Sequence, residues 1–174
     1  MARTVKLAIV GCGGIGTGKH LPSLAKIPEV EVVAFCDIIP EKAAVSAKAF
    51  GAEGAKVFTD YRELLKMELD AVYVCTPNRS HSDISVAAMQ AGKHVICEKP
   101  LTGYFGKDRP EDLVGEAVDR KTMLRKALEN CNAVVKAVKA NKVKFCYAEN
   151  WVYAPPVIKL KRLMQASQGT ILDM

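Results

Sequence analysis

Gly11, Gly13 and Gly16 stand in a Gly-x-Gly-x-x-Gly spacing directly behind the apolar run Leu7 to Val10, and a second apolar run, Val30 to Cys36, ends in Asp37, 21 residues past the last of these glycines. A strand that turns sharply into a helix offers a diphosphate unpaired backbone N–H groups and the positive end of the helix dipole. In that chemistry Gly11 permits the tight turn, Gly13 lets the backbone approach the pyrophosphate and Gly16 lets the helix lie against the strand; Gly14 and Ile15 complete the candidate turn. The carboxylate of Asp37 falls at the distance a dinucleotide site requires.

Two further groups could act beside such a site. Thr76-Pro77-Asn78 follows the apolar run Ala71 to Cys75 and supplies a hydroxyl, a rigid turn and an amide where the ribose or nicotinamide half of a dinucleotide would lie. The same residues are ordinary chemistry for leaving a strand, and Asn78 or Ser80 could cap the next helix. His81 is a candidate cofactor contact and equally a structural hydrogen-bonding residue. Glu98-Lys99-Pro100 closes a later strand. Side chains alternate along a strand, so Glu98 and Lys99 should point opposite ways, with one of them in the cleft. An ammonium there could donate to a substrate hydroxyl or carbonyl while a hydride moves; the plain alternative is a solvated lysine at a strand end.

Short apolar strands alternating with helices must carry these residues. Strands are predicted at about 5–11, 30–37, 56–58, 71–75, 94–98 and 144–149. Helices are predicted at about 14–27, from Pro40 to Phe50, and at about 61–66, 81–91, 119–141 and 157–166. Pro22 should start the first helix late or kink it, and Ala43, Ala44, Ala47 and Phe50 should form the buried face of the second. Leu124, Leu128, Cys131, Val135 and Val138 form one apolar stripe on the long helix. The pattern predicts a doubly wound parallel sheet in the order 3-2-1-4-5-6, with ligand beyond the carboxyl ends of the strands.

Composition narrows the class. The 174 residues are 49% hydrophobic and 25% charged, as in ordinary globular proteins. No apolar stretch approaches the roughly 20 residues of a membrane span, and no signal-peptide pattern opens the chain, which makes the cytoplasm the default address. The net charge of +6 belongs to the last third. Its lysines recur at helical spacing without interleaved stacking aromatics, which reads as a solvated face and excludes nucleic acid as the expected partner. The six cysteines lack metal-ligand spacing, so no metal is expected. They read as small buried side chains in a reducing compartment, with Cys12, beside a helix N-terminus, expected to have a lowered thiol pKa.

Taken in order, Gly11 to Gly16, Cys36-Asp37, Thr76-Pro77-Asn78-x-x-His81, Ala91-Gly-Lys-His-Val to Glu98-Lys99-Pro100 and Asn150 to Pro155 resemble the Gfo/Idh/MocA oxidoreductases, the family of glucose–fructose oxidoreductase and inositol dehydrogenase. The resemblance implies an NAD(P)-binding Rossmann domain over residues 1–150. It further implies hydride transfer with a sugar, cyclitol or related polyol, and a homo-oligomer when full length. Lys99 matches the family lysine that contacts substrate and nicotinamide ribose. Asp37 matches the position that receives the adenosine ribose hydroxyls. A carboxylate there accepts from a 2′-OH and repels a 2′-phosphate, favouring NAD over NADP. Residues 102–118 read as an insertion, and Trp151 and Val152 stand where arginine usually follows. Residues 151–174 read as a linker helix and the first strand of a substrate domain that in this family supplies the Asp/His catalytic pair. The chain is therefore expected to bind NAD and to be a poor catalyst alone. Two other readings are a non-enzymatic NAD-binding sensor, which has no need of Glu98-Lys99-Pro100, and another two-domain dehydrogenase class.

Overall fold

A strand that is apolar on both faces needs cover on both, and the first strand has that character. In the computed structural model, which describes residues 3–106 and 114–167, Val5–Val10 forms β1. Ala8 and Val10 enter one core, Leu7 and Ile9 the other, and none of the four is more than 3% exposed. Around it lie β2 (Val30–Cys36), β3 (Lys56–Phe58), β4 (Ala71–Val74), β5 (His94–Glu98) and β6 (Phe145–Ala148). All pairs are parallel and the order is β3-β2-β1-β4-β5-β6, as predicted. The β1–β2 register passes from Leu7↔Val32 to Ala8↔Ala34, so Val33 is skipped. That bulge restores the alternation: Val32 and Phe35 share one core, Ala34 and Cys36 the other.

The first helix departs from the simple expectation. Gly16–His20 winds as a π-helical turn, in which the Leu21 amide donates to the Gly16 carbonyl, before α1 (Leu21–Leu24) begins. Pro22 sits in the first turn of α1, where its missing N–H is tolerated. The wide turn takes the place of the predicted late start or kink. α2 (Pro40–Phe50) buries Ala43 and Ser46, while Ala44, expected inside, is exposed. The hydroxyl that replaces it lies 3.0 Å from Thr17 Oγ1 and ties α2 to the glycine turn.

α3 (Tyr61–Leu64) is capped by Asp60, which accepts from the Arg62 amide. α4 (His81–Gln90) packs against α6 (Arg120–Asn141), whose cap Asp119 accepts from the Thr122 amide. The apolar stripe of α6 is a correction. Leu124, Leu128 and Val135 are 60%, 51% and 48% exposed; of the stripe Val138 packs against the core, beside Val134 and Ala137, which the stripe left out. The inner face also carries Asn130, whose side-chain amide donates to Thr102 Oγ1. Alanine at the contact lets α6 lie close to α4, which leaves the flanking leucines outside. α5 (Val114–Ala117) and α7 (Pro155–Ser167) complete the helices. Residues 107–113 of the predicted insertion and the predicted strand at 170–174 lie outside the described residues. No described helix is long and apolar enough to cross a membrane.

Four thiols line the carboxyl side of the sheet, and burial pushes all four upward: Cys36 to about 12, Cys12 and Cys97 to about 11, Cys75 further still. The expectation of a lowered Cys12 is thereby overturned. Cys12 is 4% exposed, and its desolvation, with the Asp37 carboxylate adding to it, outweighs the helix dipole and the Ser46 hydroxyl. An unfolded thiol ionises near its ordinary 9.0. Between there and about 11 the unfolded chain has released protons that the folded one still holds, so stability falls as pH rises. Melting temperatures recorded across that window should fall steadily, and less steeply in a Cys36→Ser variant.

Candidate functional site

The carboxyl ends of β1, β2, β4 and β5 meet at one edge of the sheet, and the glycine turn is built into that meeting. Gly11 has φ +97°, and a Cβ there would stand 2.5 Å from the Cys75 carbonyl carbon and 2.7 Å from the Thr76 nitrogen. A Cβ on Gly16 would stand 2.6 Å from the Gly11 carbonyl oxygen. Both glycines are thus required by packing. Gly13 and Gly14 differ: a Cβ on either meets nothing within 4 Å, so their backbone faces open space. Open backbone of this kind, at the start of a helical segment, suits a diphosphate.

Asp37 is held to this turn. Its Oδ2 accepts from the Cys12 amide at 2.8 Å and its Oδ1 from the Ile39 amide at 2.9 Å. Each carboxylate oxygen keeps a second lone pair for ribose hydroxyls. The Thr17 hydroxyl donates to the Cys12 carbonyl, so the turn is pinned from both sides. Beside Asp37 opens a cleft of about 550 Å³ lined by Gly11, Ile38, Tyr61, Pro77 and Arg79. A second cleft, of about 670 Å³, takes in Ile15, Asn78, His81, Glu98, Lys99 and Asn150. Thr76 lines both. Two adjoining clefts that share one residue suit a ligand with two halves.

The predicted residues are brought together unevenly. Lys99 is exposed at the wall of the second cleft. Glu98 and Lys99 both line it, in contrast to the expected opposition, because β5 ends at Glu98 and the alternation ends with it. Asn78 opens a short 3₁₀ turn, Asn78–Ser80, and neither it nor Ser80 caps α4 through its side chain. The Ser80 hydroxyl lies instead 2.9 Å from Thr76 Oγ1 and 2.8 Å from the Pro77 carbonyl oxygen. His81 is fully buried, with Nδ1 2.8 Å from the Pro100 carbonyl oxygen and Nε2 2.8 Å from that of Thr76. It ties the two cleft-bearing loops to each other. Among the described residues no group of three or more His, Cys, Asp or Glu side chains is placed to hold a metal ion.

The sequence reading missed His20 and Tyr73. Tyr73 points to the same face of the sheet as Glu98, and the π-helical turn aims His20 between them; its Nε2 is 2.7 Å from Glu98 Oε1. Strand alternation could have signalled Tyr73 and Glu98 as neighbours, since β4 and β5 were both legible. The π turn that brings in His20 left no comparable mark.

Residues 5–149 match the Gfo/Idh/MocA oxidoreductase family, NAD-binding Rossmann fold. Inositol 2-dehydrogenase from Salmonella typhimurium is 42% identical over 100 residues, 56% of this chain and 29% of that enzyme. A dTDP-3,4-didehydro-2,6-dideoxy-alpha-D-glucose 3-reductase from Streptomyces violaceoruber is 34% identical over 100 residues, 58% of this chain and 29% of that enzyme. The chain thus covers under a third of these relatives. In fold it is similar to scyllo-inositol dehydrogenase from Lactobacillus casei, solved with NAD(H) and scyllo-inositol, with a TM-score of 0.75 and 22% identity over 95% of this chain and 42% of that one.

The two classes of glycine should separate on substitution. Gly11→Ala should destabilise the fold by about 2–4 kcal/mol, through the clash and the left-handed backbone. Gly13→Ala should leave stability within about 0.5 kcal/mol. Urea titration of both variants checks this.

Proposed function

This chain belongs to the Gfo/Idh/MocA oxidoreductase family with its NAD-binding Rossmann fold, and on that premise we propose that it holds NAD for hydride transfer with a secondary alcohol or carbonyl of a polyol or sugar. The observation that carries the reading is the contrast within the glycine turn: two glycines jammed by packing beside two whose backbone is open, with Asp37 hydrogen-bonded to the amide between them. The amides from Gly13 to Gly16 receive the pyrophosphate. Asp37 accepts the adenosine ribose hydroxyls, and its charge disfavours a 2′-phosphate. Thr76, Pro77 and Asn78 wall the passage between the two halves.

When bound, NAD supplies the hydride acceptor or donor. The chain contributes position and charge. Lys99 donates to the reacting oxygen and stabilises charge that grows there as the hydride moves. Glu98 keeps a carboxylate at the same end of the cleft, while the buried His81 fixes the separation of the loops that carry Thr76 and Lys99. The relatives named as inositol dehydrogenase and deoxysugar reductase support a polyhydroxylated substrate.

Calorimetry tests the cofactor half: NAD should bind and NADP at least about tenfold more weakly, with Gly13→Ala losing about tenfold of NAD affinity at unchanged stability. No heat with either dinucleotide refutes the reading. For the reaction, Lys99→Met in the full-length protein, assayed against polyols and sugars, should lower kcat about 100-fold or more with NAD still bound. Unchanged turnover refutes the role given to Lys99.

A further inference from the structure

Three elements contribute to a hydrogen-bonded chain in the wall of the second cleft. Tyr73, from β4, is 7% exposed, and its hydroxyl lies 2.8 Å from His20 Nδ1. The rings stack at 4.5 Å between centroids, tilted by 44°. His20, from the π-helical turn, reaches Glu98 Oε1 with Nε2 at 2.7 Å. The other oxygen of Glu98 accepts from the Lys99 backbone amide at 2.9 Å. The side chains of His20 and Glu98 are 21% and 15% exposed.

The carboxylate fixes the direction of the bond between His20 and Glu98, and the tautomer follows for a neutral ring. A lone pair on Nε2 would face the carboxylate, so Nε2 carries the proton and donates to Glu98. On the neutral ring Nδ1 is then an acceptor, and Tyr73 supplies the donor. Burial pushes the Tyr73 hydroxyl above its ordinary range, which keeps that proton in place. Both oxygens of Glu98 have partners, which restrains the torsions of its side chain. Its carboxylate is therefore held at the cleft wall and cannot swing to solvent.

We infer that His20 is a positioning residue for the nicotinamide end of the site: seated on Tyr73, it locks Glu98, and Glu98 in turn fixes the start of the Lys99 loop and keeps a negative charge in the cleft. The inference rests on the NAD reading above. A locked carboxylate favours the cationic nicotinamide ring without touching the adenosine half. His20 therefore acts on NAD and not on ADP, which occupies the Asp37 cleft alone.

Calorimetry on this chain with ADP and with NAD, in wild type, His20→Ala and His20→Gln, separates the outcomes. NAD should bind wild type more tightly than ADP does. His20→Ala should cost NAD about fivefold and leave ADP unchanged, and His20→Gln, whose side-chain amide can still donate to Glu98, should recover most of the loss. The inference is overturned by an unchanged NAD affinity in His20→Ala, by equal losses for ADP and NAD, or by a glutamine variant as weak as alanine. Wild type binding neither ligand refutes the NAD reading and the inference with it. Should His20→Ala not fold, nitrogen-15 shifts of the wild-type imidazole decide: a protonated Nε2 with an accepting Nδ1 supports the chain of bonds, and the opposite tautomer overturns it.

Discussion

Gly11 is pressed so closely against the peptide between Cys75 and Thr76 that no side chain fits. That single approach brings the exits of β1 and β4 together, and the site is arranged around it. The Cys75 amide donates to the Val10 carbonyl at 2.7 Å and the Gly11 amide to the Cys36 carbonyl at 2.8 Å, which holds the β1 exit between its neighbours, and from there the Cys12 amide meets Asp37 just past β2. The β4 exit is equally constrained, so Thr76 lies where the two clefts adjoin and His81 can reach both the Thr76 and Pro100 carbonyls. Turn and clefts depend on one close approach, held by backbone hydrogen bonds and possible only because Gly11 has no side chain.

The sheet was legible because its signals are local and redundant. Each strand is a short apolar run bounded by turn chemistry, and parallel strands buried on both faces leave few alternatives for their order. Gly11 to Gly16 and Asp37 were legible for a related reason: glycine is demanded by backbone geometry, which sequence records directly. Ala44 and the leucines of α6 show where the signal ends. Apolar periodicity marks a stripe and not its neighbour, and close helix contact selected Ala137 and Val134 over Leu124 and Leu128. Cys12 shows a second limit. Its place beside a helix start was readable, but its burial depended on α2 and β2 closing over it, and that burial decides its acidity.

The π-helical turn is the least legible element and the one that most changes the site. Such turns shift every later side chain around the helix axis by one position, and they recur where a residue has to be aimed. Here the turn carries His20 to β4 and β5, where it is the common partner of Tyr73 and Glu98.

The skipped residue in β2 has a reach beyond its own ladder. Val33 has no partner of its own in the ladder, so every position after it stands one step earlier along β1 than an unbroken pairing would place it, and Cys36 faces Val10. Were Val33 paired like its neighbours, Asp37 would be carried about 3.3 Å farther along the sheet edge, roughly the length of the bond it makes to the Cys12 amide. The spacing between glycine turn and carboxylate, which looks like a property of sequence distance alone, is thus calibrated by an irregularity in the sheet.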